Sequence, residues 1–266
     1  MTVRLFVCIV SHGHAELLER SLPSFLGVEN VQLCVVDNLE QTALQSFCKQ
    51  HEIAYVTHPG EMLGFGANNN LAYRYFAANY ALTADDYLVC CNPDVLITPA
   101  MLGELQVALE RYKPQLAGIN LFTDEQFTHF DNSIRRFPRL SDYLAKLLRR
   151  NSSMALDKAA ITAPVPSDWA AGSFLIFSVP LFQLLKGFDE RFFMYFEDVD
   201  ICLRAWRVAG QRLLYLPDVR AVHFAAFRNR QLFSKHFYWY SSSLLRYLAR
   251  FYLGGARSTV KGVPLP

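Results

Sequence analysis

Short apolar runs alternate with polar or amphipathic stretches through the first third of the chain. Val3 to Val10, Val31 to Val36, Ile53 to Val56 and Asp86 to Cys91 each read as a strand buried on both faces. Between them lie an amphipathic segment running to Phe25, a helical pattern around Gln41 to Lys49, and a helix opening near Ala67. This alternation predicts an α/β fold with a Rossmann-like, mostly parallel central sheet flanked by helices, binding ligands at the carboxyl ends of its strands. Further on, Leu140, Tyr143, Leu144, Leu147 and Leu148 line one face of a basic amphipathic helix expected from Asn132 to Arg150. The polar run Asn151 to Pro166 reads as a flexible connection. Asp168 to Phe177, Leu213 to Leu216 and Arg220 to His223 return to strand, and Arg228 to Leu253 is a long aromatic, basic helix.

With 266 residues, 52% of them apolar, the chain is long enough for one large α/β domain or two small ones with a sizeable core. Its net charge of +2 is unevenly spread. No acidic residue follows Asp218, so Val219 to Pro266 carries +8 and leaves 18 basic against 24 acidic residues, or −6, in the remainder. A basic tail on an acidic body predicts an anionic partner, membrane or nucleic acid. Aromatic residues at helical spacing in that tail suit a lipid interface better than base stacking, so no nucleic acid is expected. The six cysteines lack CxxC spacing and read as buried thiols of a reducing compartment. No apolar run reaches the roughly 18 residues of a membrane span. The N-terminus reads as a first strand, not a signal peptide, which predicts a cytoplasmic protein attached peripherally to a membrane.

Polar residues cluster where strands end. Ser11 and His12 follow the first strand, and Asp37 and Asn38 the second. A carboxylate there accepts hydrogen bonds from a base or ribose, or forms an ordinary Asx turn. In GEMLGFGANNN, Gly64 and Gly66 permit close backbone approach to a ligand, and the following helix presents free N–H groups. Asn69 occupies the third glycine position of a dinucleotide fingerprint, which argues against a dehydrogenase. Three asparagines opening a helix are costly in propensity, favouring a ligand contact for Asn70. Asn92-Pro93-Asp94 offers an acidic group at a strand end, suited to a hard divalent cation, or a plain turn. His223 completes a metal site with Asp94 or is a core histidine. Trp169 beside Asp168 reads as a sugar-stacking pair or a core tryptophan.

The densest signal is Gly187 to Arg204, GFDERFFMYFEDVDICLR, with five carboxylates among aromatic rings. Such interleaving predicts a cleft wall. Glu197, Asp198 and Asp200 open a helix, and Asp200 pairs with Arg204 one turn on. Glu197 and Asp198 then lie beside apolar rings that raise a carboxyl pKa, as a general base requires. An acidic helix cap is the alternative.

Taken in order, SHGH, Asp37-Asn38, GFGANNN, NPD, DWAAGSF, GFDERFFMYFEDVDICLR and His223 resemble the family-2 inverting glycosyltransferases with a GT-A fold, over nearly the whole chain. The SHGH and GFGANNN segments look closest to the bacterial rhamnosyltransferases of O-antigen assembly. The resemblance implies transfer of L-rhamnose from dTDP-L-rhamnose to undecaprenyl-diphosphate-linked N-acetylglucosamine at the inner face of the inner membrane. It implies Asp198 as catalytic base with Glu197 beside it. It also implies Ser11, His12, Asp37, Asn38, Gly64, Phe65, Gly66, Asn70 and Asn92 around the nucleotide and donor sugar. Asp94 and His223 would hold Mg²⁺ or Mn²⁺, and Trp169, Asp168 and Asp200 would meet the acceptor. The expected division is a catalytic domain over 1–226, with halves at 1–120 and 121–226, and a membrane-docking tail over 227–266. UDP-galactofuranose or a UDP-hexose as donor, and a non-catalytic membrane module, are the alternatives. Asn92 stands where many relatives carry an aspartate, which places the metal on Asp94 and His223.

Overall fold

The computed structural model describes residues 3–60, 62–148, 154–224 and 235–254. The first apolar runs form β1 (Leu5–Ser11), β2 (Val31–Asp37), β3 (Ala54–Thr57) and β4 (Tyr87–Cys91), paired in parallel in the order β3-β2-β1-β4. Between them run α1 (Ala15–Ser21), α2 (Thr42–Gln50) and α3 (Phe65–Asn79). Next come β5 (Val95–Leu96), α4 (Pro99–Tyr112), β6 (Leu116–Phe122), β7 (Ile134–Arg135) and α5 (Leu140–Leu147). The chain continues through β8 (Val165–Ser167), β9 (Trp169–Ala170), β10 (Phe174–Ser178), α6 (Val179–Leu184), α7 (Glu197–Ala209), β11 (Leu213–His223) and α8 (Lys235–Leu253).

Among the described residues the main sheet has nine strands, β3-β2-β1-β4-β10-β6-β11-β5 with β8 also on β11, and β7 pairs with β9 as a small ribbon. The expected α/β sheet is therefore present, and mixed. β10 lies antiparallel between β4 and β6, and β11 runs parallel to β6. Reversing β10 brings its amino end beside the carboxyl ends of β1, β2, β4, β6 and β11, so the polar strand ends share one edge. Side chains on a strand alternate between faces. Accordingly Leu5, Val7 and Ile9 pack with Leu18, Leu44 and Leu102 of α1, α2 and α4. Phe6 and Cys8 face the opposite way, toward Phe76, Phe182 and Ile201 of α3, α6 and α7. The six cysteines are buried and free.

Three expectations need correction. The basic helix expected from Asn132 begins only at Leu140, because Pro138 halts helix formation and Ile134–Arg135 are drawn into pairing with β9. The supposed flexible connection is held where it is described: Leu156 N–H donates to Ile134 O at 2.9 Å and Arg136 N–H to Met154 O at 2.9 Å. The two last short strands are one, β11, with a register shift between Leu216 and Arg220 around Pro217. Within the expected docking tail, α8 packs one face on the body: Tyr247 is fully buried, and its hydroxyl donates to Pro138 O at 3.0 Å. The rest of the expected tail, 227–234 and 255–266, lies outside the described residues.

Within the connection, Lys158 is only 4% exposed and donates to Leu121 O at 3.3 Å and Ser133 Oγ at 3.1 Å. Burial pulls its ammonium down to about 8, against the opposing pull of Asp131. The folded pKa lies below the ordinary 10.5, so between those values the unfolded chain binds the extra proton and stability rises with pH. Relative to Lys158→Met, the wild-type protein should gain about 2 kcal/mol of unfolding free energy between pH 7 and pH 10 in urea titrations. A constant difference across that range would disprove a depressed Lys158.

The start of α3 meets the loop before α7 backbone to backbone. A Cβ on Gly64 would lie 2.1 Å from Phe193 O, and one on Gly66 2.7 Å from Phe188 Cβ. Gly64→Ala should therefore cost about 1–3 kcal/mol, because a main-chain carbonyl must yield. Gly103→Ala, which meets nothing within 4 Å inside α4, should be neutral or stabilise by up to about 1 kcal/mol. Equal unfolding midpoints for the two variants would refute this packing.

Candidate active site

The acidic stretch is assembled by a loop and a helix start. Tyr195 and Phe196 both adopt left-handed backbone, with φ of 70° and 66°, and α7 begins at Glu197. This geometry is strained for aromatic residues and persists because their surroundings fix it. Phe196 stacks on Tyr247 at 5.5 Å, and Phe65 N–H donates to Phe193 O at 3.2 Å. Asp198 is half-buried at the edge shared by the strand ends. Its Oδ2 accepts from Gly172 N–H at 3.0 Å and its Oδ1 from Val199 N–H at 2.8 Å. Burial raises its carboxyl above the ordinary value, opposed by those two N–H groups and by Arg135. Glu197 is buried, and its Oε2 has no partner among the described residues. Burial first, then the charge of Asp198, push Glu197 well above the carboxylate range. Of the two, Asp198 is the better exposed and is held in place by two N–H groups, which suits it to the role of a base.

Asp94 and His223 meet as expected, with His223 Nε2 3.4 Å from Asp94 Oδ1. Asp131, which no sequence pattern marked, binds the other ring nitrogen, Nδ1. Burial lowers the imidazole pKa, but Asp131 and Asp94 outweigh it and push His223 up to about 9. Among the described residues no three His, Cys, Asp or Glu side chains form a complete metal cage. Asp94 and His223 supply one oxygen and one nitrogen, which fits a hard cation that takes further oxygens from a diphosphate. A bound cation would displace the Nε2 proton, and Asp131, accepting from Nδ1–H, would then hold that tautomer, as carboxylates behind metal-bound histidines do.

The nucleotide-side residues divide. Ser11, His12, Asp37, Asn38 and Asn92 fall at strand ends on the shared edge, and His12 and Asn92 are partly exposed there. Asp37 is fully buried: it accepts from Leu39 N–H at 3.1 Å, Gln41 N–H at 2.8 Å and the Tyr55 hydroxyl at 2.9 Å, so the Asx-turn alternative describes it. Asn38 clamps Leu63 through both its amide atoms. Gly64, Phe65 and Gly66 serve close packing against Phe188, Phe193 and Gly172 instead of ligand approach. Asn70 is likewise structural. Its Oδ1 accepts from Phe188 N–H at 2.9 Å, and its Nδ2 donates to Phe188 O at 3.0 Å and Glu190 at 2.9 Å.

The expected acceptor residues do not converge. Trp169 is 7% exposed, with its indole N–H on Arg136 O at 2.9 Å, and is a core tryptophan. Asp168 binds Arg212 and Phe137 N–H. Asp200 is fully buried between Arg204 and Arg250, so the expected pairing with Arg204 holds and an acceptor contact does not. A single sequence gives i, i+4 spacing on α7 but not the approach of α8, which brings Arg250.

Comparison with known proteins agrees with this geometry. Residues 6–173 match "Glycosyl transferase family 2". The chain is 35% identical to "Rhamnosyltransferase WbbL" of Escherichia coli (strain K12) over 92% of its own length and 93% of the relative's. It is 28% identical to "N-acetylglucosaminyl-diphospho-decaprenol L-rhamnosyltransferase" of Mycobacterium tuberculosis, covering 85% of this chain and 78% of that one. Among solved structures, it superimposes on the mannosyltransferase PcManGT from Pyrobaculum calidifontis in complex with GDP-Man and Mn²⁺, with TM-score 0.53 and 16% identity over 86% of this chain and 59% of that one. GalNAc-T7 with UDP, GalNAc and Mn²⁺ gives TM-score 0.57 and 15% identity over 84% of this chain and 44% of that one. At these identities the structures establish the GT-A fold alone. With a GT-A sheet, a raised carboxyl pair at its ligand edge and a family match over most of its length, the chain belongs to glycosyl transferase family 2 and is a glycosyltransferase.

Proposed function

We propose that the protein transfers L-rhamnose from dTDP-L-rhamnose, with inversion, to N-acetylglucosamine carried on undecaprenyl diphosphate, in assembly of a cell-surface polysaccharide. The observation that carries the mechanism is Asp198, half-buried and held by Gly172 and Val199 N–H groups at the edge where Asp94 and His223 also lie. The names of the two rhamnosyltransferase relatives support the sugar and the acceptor class.

In this reading the nucleotide rests against His12 and Asn92, in a frame fixed by Asp37, Asn38 and Ser11. Asp94 and His223 would hold Mg²⁺ or Mn²⁺, whose charge would offset that of the departing diphosphate. Asp198 takes the proton of the acceptor hydroxyl as its oxygen bonds to the anomeric carbon. The bond from that carbon to the diphosphate oxygen breaks, and its electron pair leaves with dTDP. The hydroxyl enters opposite the leaving group, so one displacement inverts the carbon without a covalent enzyme intermediate. Glu197, buried beside it, leaves the better exposed Asp198 as the proton acceptor of the pair.

In the same reading the protein attaches peripherally at the cytoplasmic face of the inner membrane, and the exposed apolar residues of α5 and α8 support this. Leu140 and Leu144 of α5 and Leu148 just after it are 47%, 51% and 66% exposed, and Leu140 N–H donates to the Tyr252 hydroxyl of α8 at 3.0 Å. Tyr252 and Leu253 at the end of α8 are also exposed, as an interfacial helix requires. No helix among the described residues is long and apolar enough to cross a membrane.

The wild-type enzyme should form product from dTDP-L-rhamnose and the lipid-linked acceptor, and Asp198→Asn should reduce turnover by about 10²–10⁴-fold while still binding nucleotide. A variant retaining more than about a hundredth of wild-type turnover would remove Asp198 as the base. Product from UDP-hexose but none from dTDP-L-rhamnose would change the donor and keep the mechanism. By calorimetry, Asp94→Ala should abolish the gain in dTDP affinity that Mn²⁺ gives the wild type; an undiminished gain would exclude Asp94 from the metal site.

A further inference from the structure

Arg135 stands out among the arginines around the site. Arg136 pairs with Asp142, Arg212 with Asp168, Arg204 with Asp200, and Arg250 with both Asp189 and Asp200. Among the described residues Arg135 is in no such ion pair. Its backbone is fixed in β7 opposite Trp169, and its guanidinium lies over the Trp169 ring, 5.5 Å from the centroid. Its Nε donates to Asn132 O, which leaves the two terminal nitrogens of the fork for another partner. The strand carrying Trp169 leads directly to Gly172, whose N–H binds Asp198. Ala171 N–H donates to Ser133 O at 2.8 Å, tying that strand to the segment bearing Arg135. The guanidinium is also the cation that works against burial at Asp198. It is thus a half-buried positive charge, lying over an indole ring and anchored to a backbone carbonyl, on the same ribbon that holds the base.

We propose that Arg135 forms an anion subsite for the diphosphate of the acceptor, an inference that rests on the functional reading above. A guanidinium fork matches a phosphate in two parallel hydrogen bonds, and stacking on an aromatic ring presets its plane. Inversion decides which diphosphate it serves. The attacking hydroxyl and the leaving group lie on opposite faces of the anomeric carbon, so a group beside the base lies on the acceptor's side. Asp94 and His223 serve the donor diphosphate. Arg135 is a binding residue here, selecting acceptors whose sugar carries a diphosphate and placing the hydroxyl against Asp198.

The test compares the wild-type full chain with Arg135→Gln and Arg135→Lys on two acceptors. One is the lipid-linked N-acetylglucosaminyl diphosphate; the other is an alkyl N-acetylglucosaminide without phosphate. Direct calorimetry of dTDP with Mn²⁺ accompanies both. Arg135→Gln should raise KM for the diphosphate acceptor by about 10- to 100-fold, the range of a lost charged hydrogen bond. KM for the neutral acceptor and the affinity for dTDP should stay unchanged, and Arg135→Lys should recover part of the loss. An equal loss on both acceptors would overturn the subsite in favour of a purely structural arginine. A matching fall in dTDP affinity would assign the guanidinium to the donor instead. If the wild type transfers sugar to neither acceptor from any nucleotide donor, the functional reading itself fails and the subsite with it.

Discussion

The two hydrogen bonds between the Asn70 amide and the backbone of Phe188 govern the rest of the site. They join the first turns of α3 to the irregular loop that delivers Glu197 and Asp198. Such a loop has no ladder of its own to fix it, so its main-chain groups need partners from elsewhere. Asn70 provides them from a buried position, and Gly64 and Gly66 let α3 approach closely enough for the bonds to form. Behind the loop, Arg250 of α8 binds Asp189 and Asp200 together. The left-handed turn at Tyr195 and Phe196 is thereby held from both sides, and α7 starts where it presents Asp198 to the open edge.

The same eighteen-residue stretch uses its carboxylates in two opposite ways. Burial acts to raise Asp189, yet Arg191 and Arg250 outweigh it and hold its carboxyl well below the usual range. Asp200 is wholly buried between two guanidinium groups. These are structural charges, fully paired because an unpaired one would be costly to bury. Among the described residues Glu197 and Asp198 meet no ion pair, and burial raises both. Neighbours in sequence thus differ in chemistry through which arginines the tertiary fold brings to them.

A comparable division runs through the opposite side of the site. Asp94 and His223 come from the ends of β4 and β11, far apart in sequence, and meet because β6 and β10 separate those strands with their ends at one edge. Asp131 reaches His223 from the loop after β6, and Lys158 is buried close enough to feel its charge. One run of polar and charged groups therefore extends from the proposed metal position into the core.

Local patterning was sufficient for the early strands, for α2 and α7, for the parallel half of the sheet and for the carboxylate pair at the start of α7. Burial on both faces of a strand and acidic residues at a helix start leave signatures a few residues long. The same patterning read Gly64, Gly66 and Asn70 as ligand-facing, because a glycine or asparagine that permits close approach looks the same whatever approaches. It read Arg135 into a helix, since basic and apolar residues at helical spacing do not reveal that a distant strand offers pairing. It left Asp131 unmarked and placed Lys158 in a loose connection. Sequence alone determined the fold class, the family likeness and the pair of carboxylates that opens α7, all carried by contiguous residues. Only the tertiary structure decided which charges are paired and which are left for a ligand, because that depends on long-range contacts between segments whose spacing in the chain carries no trace of their meeting.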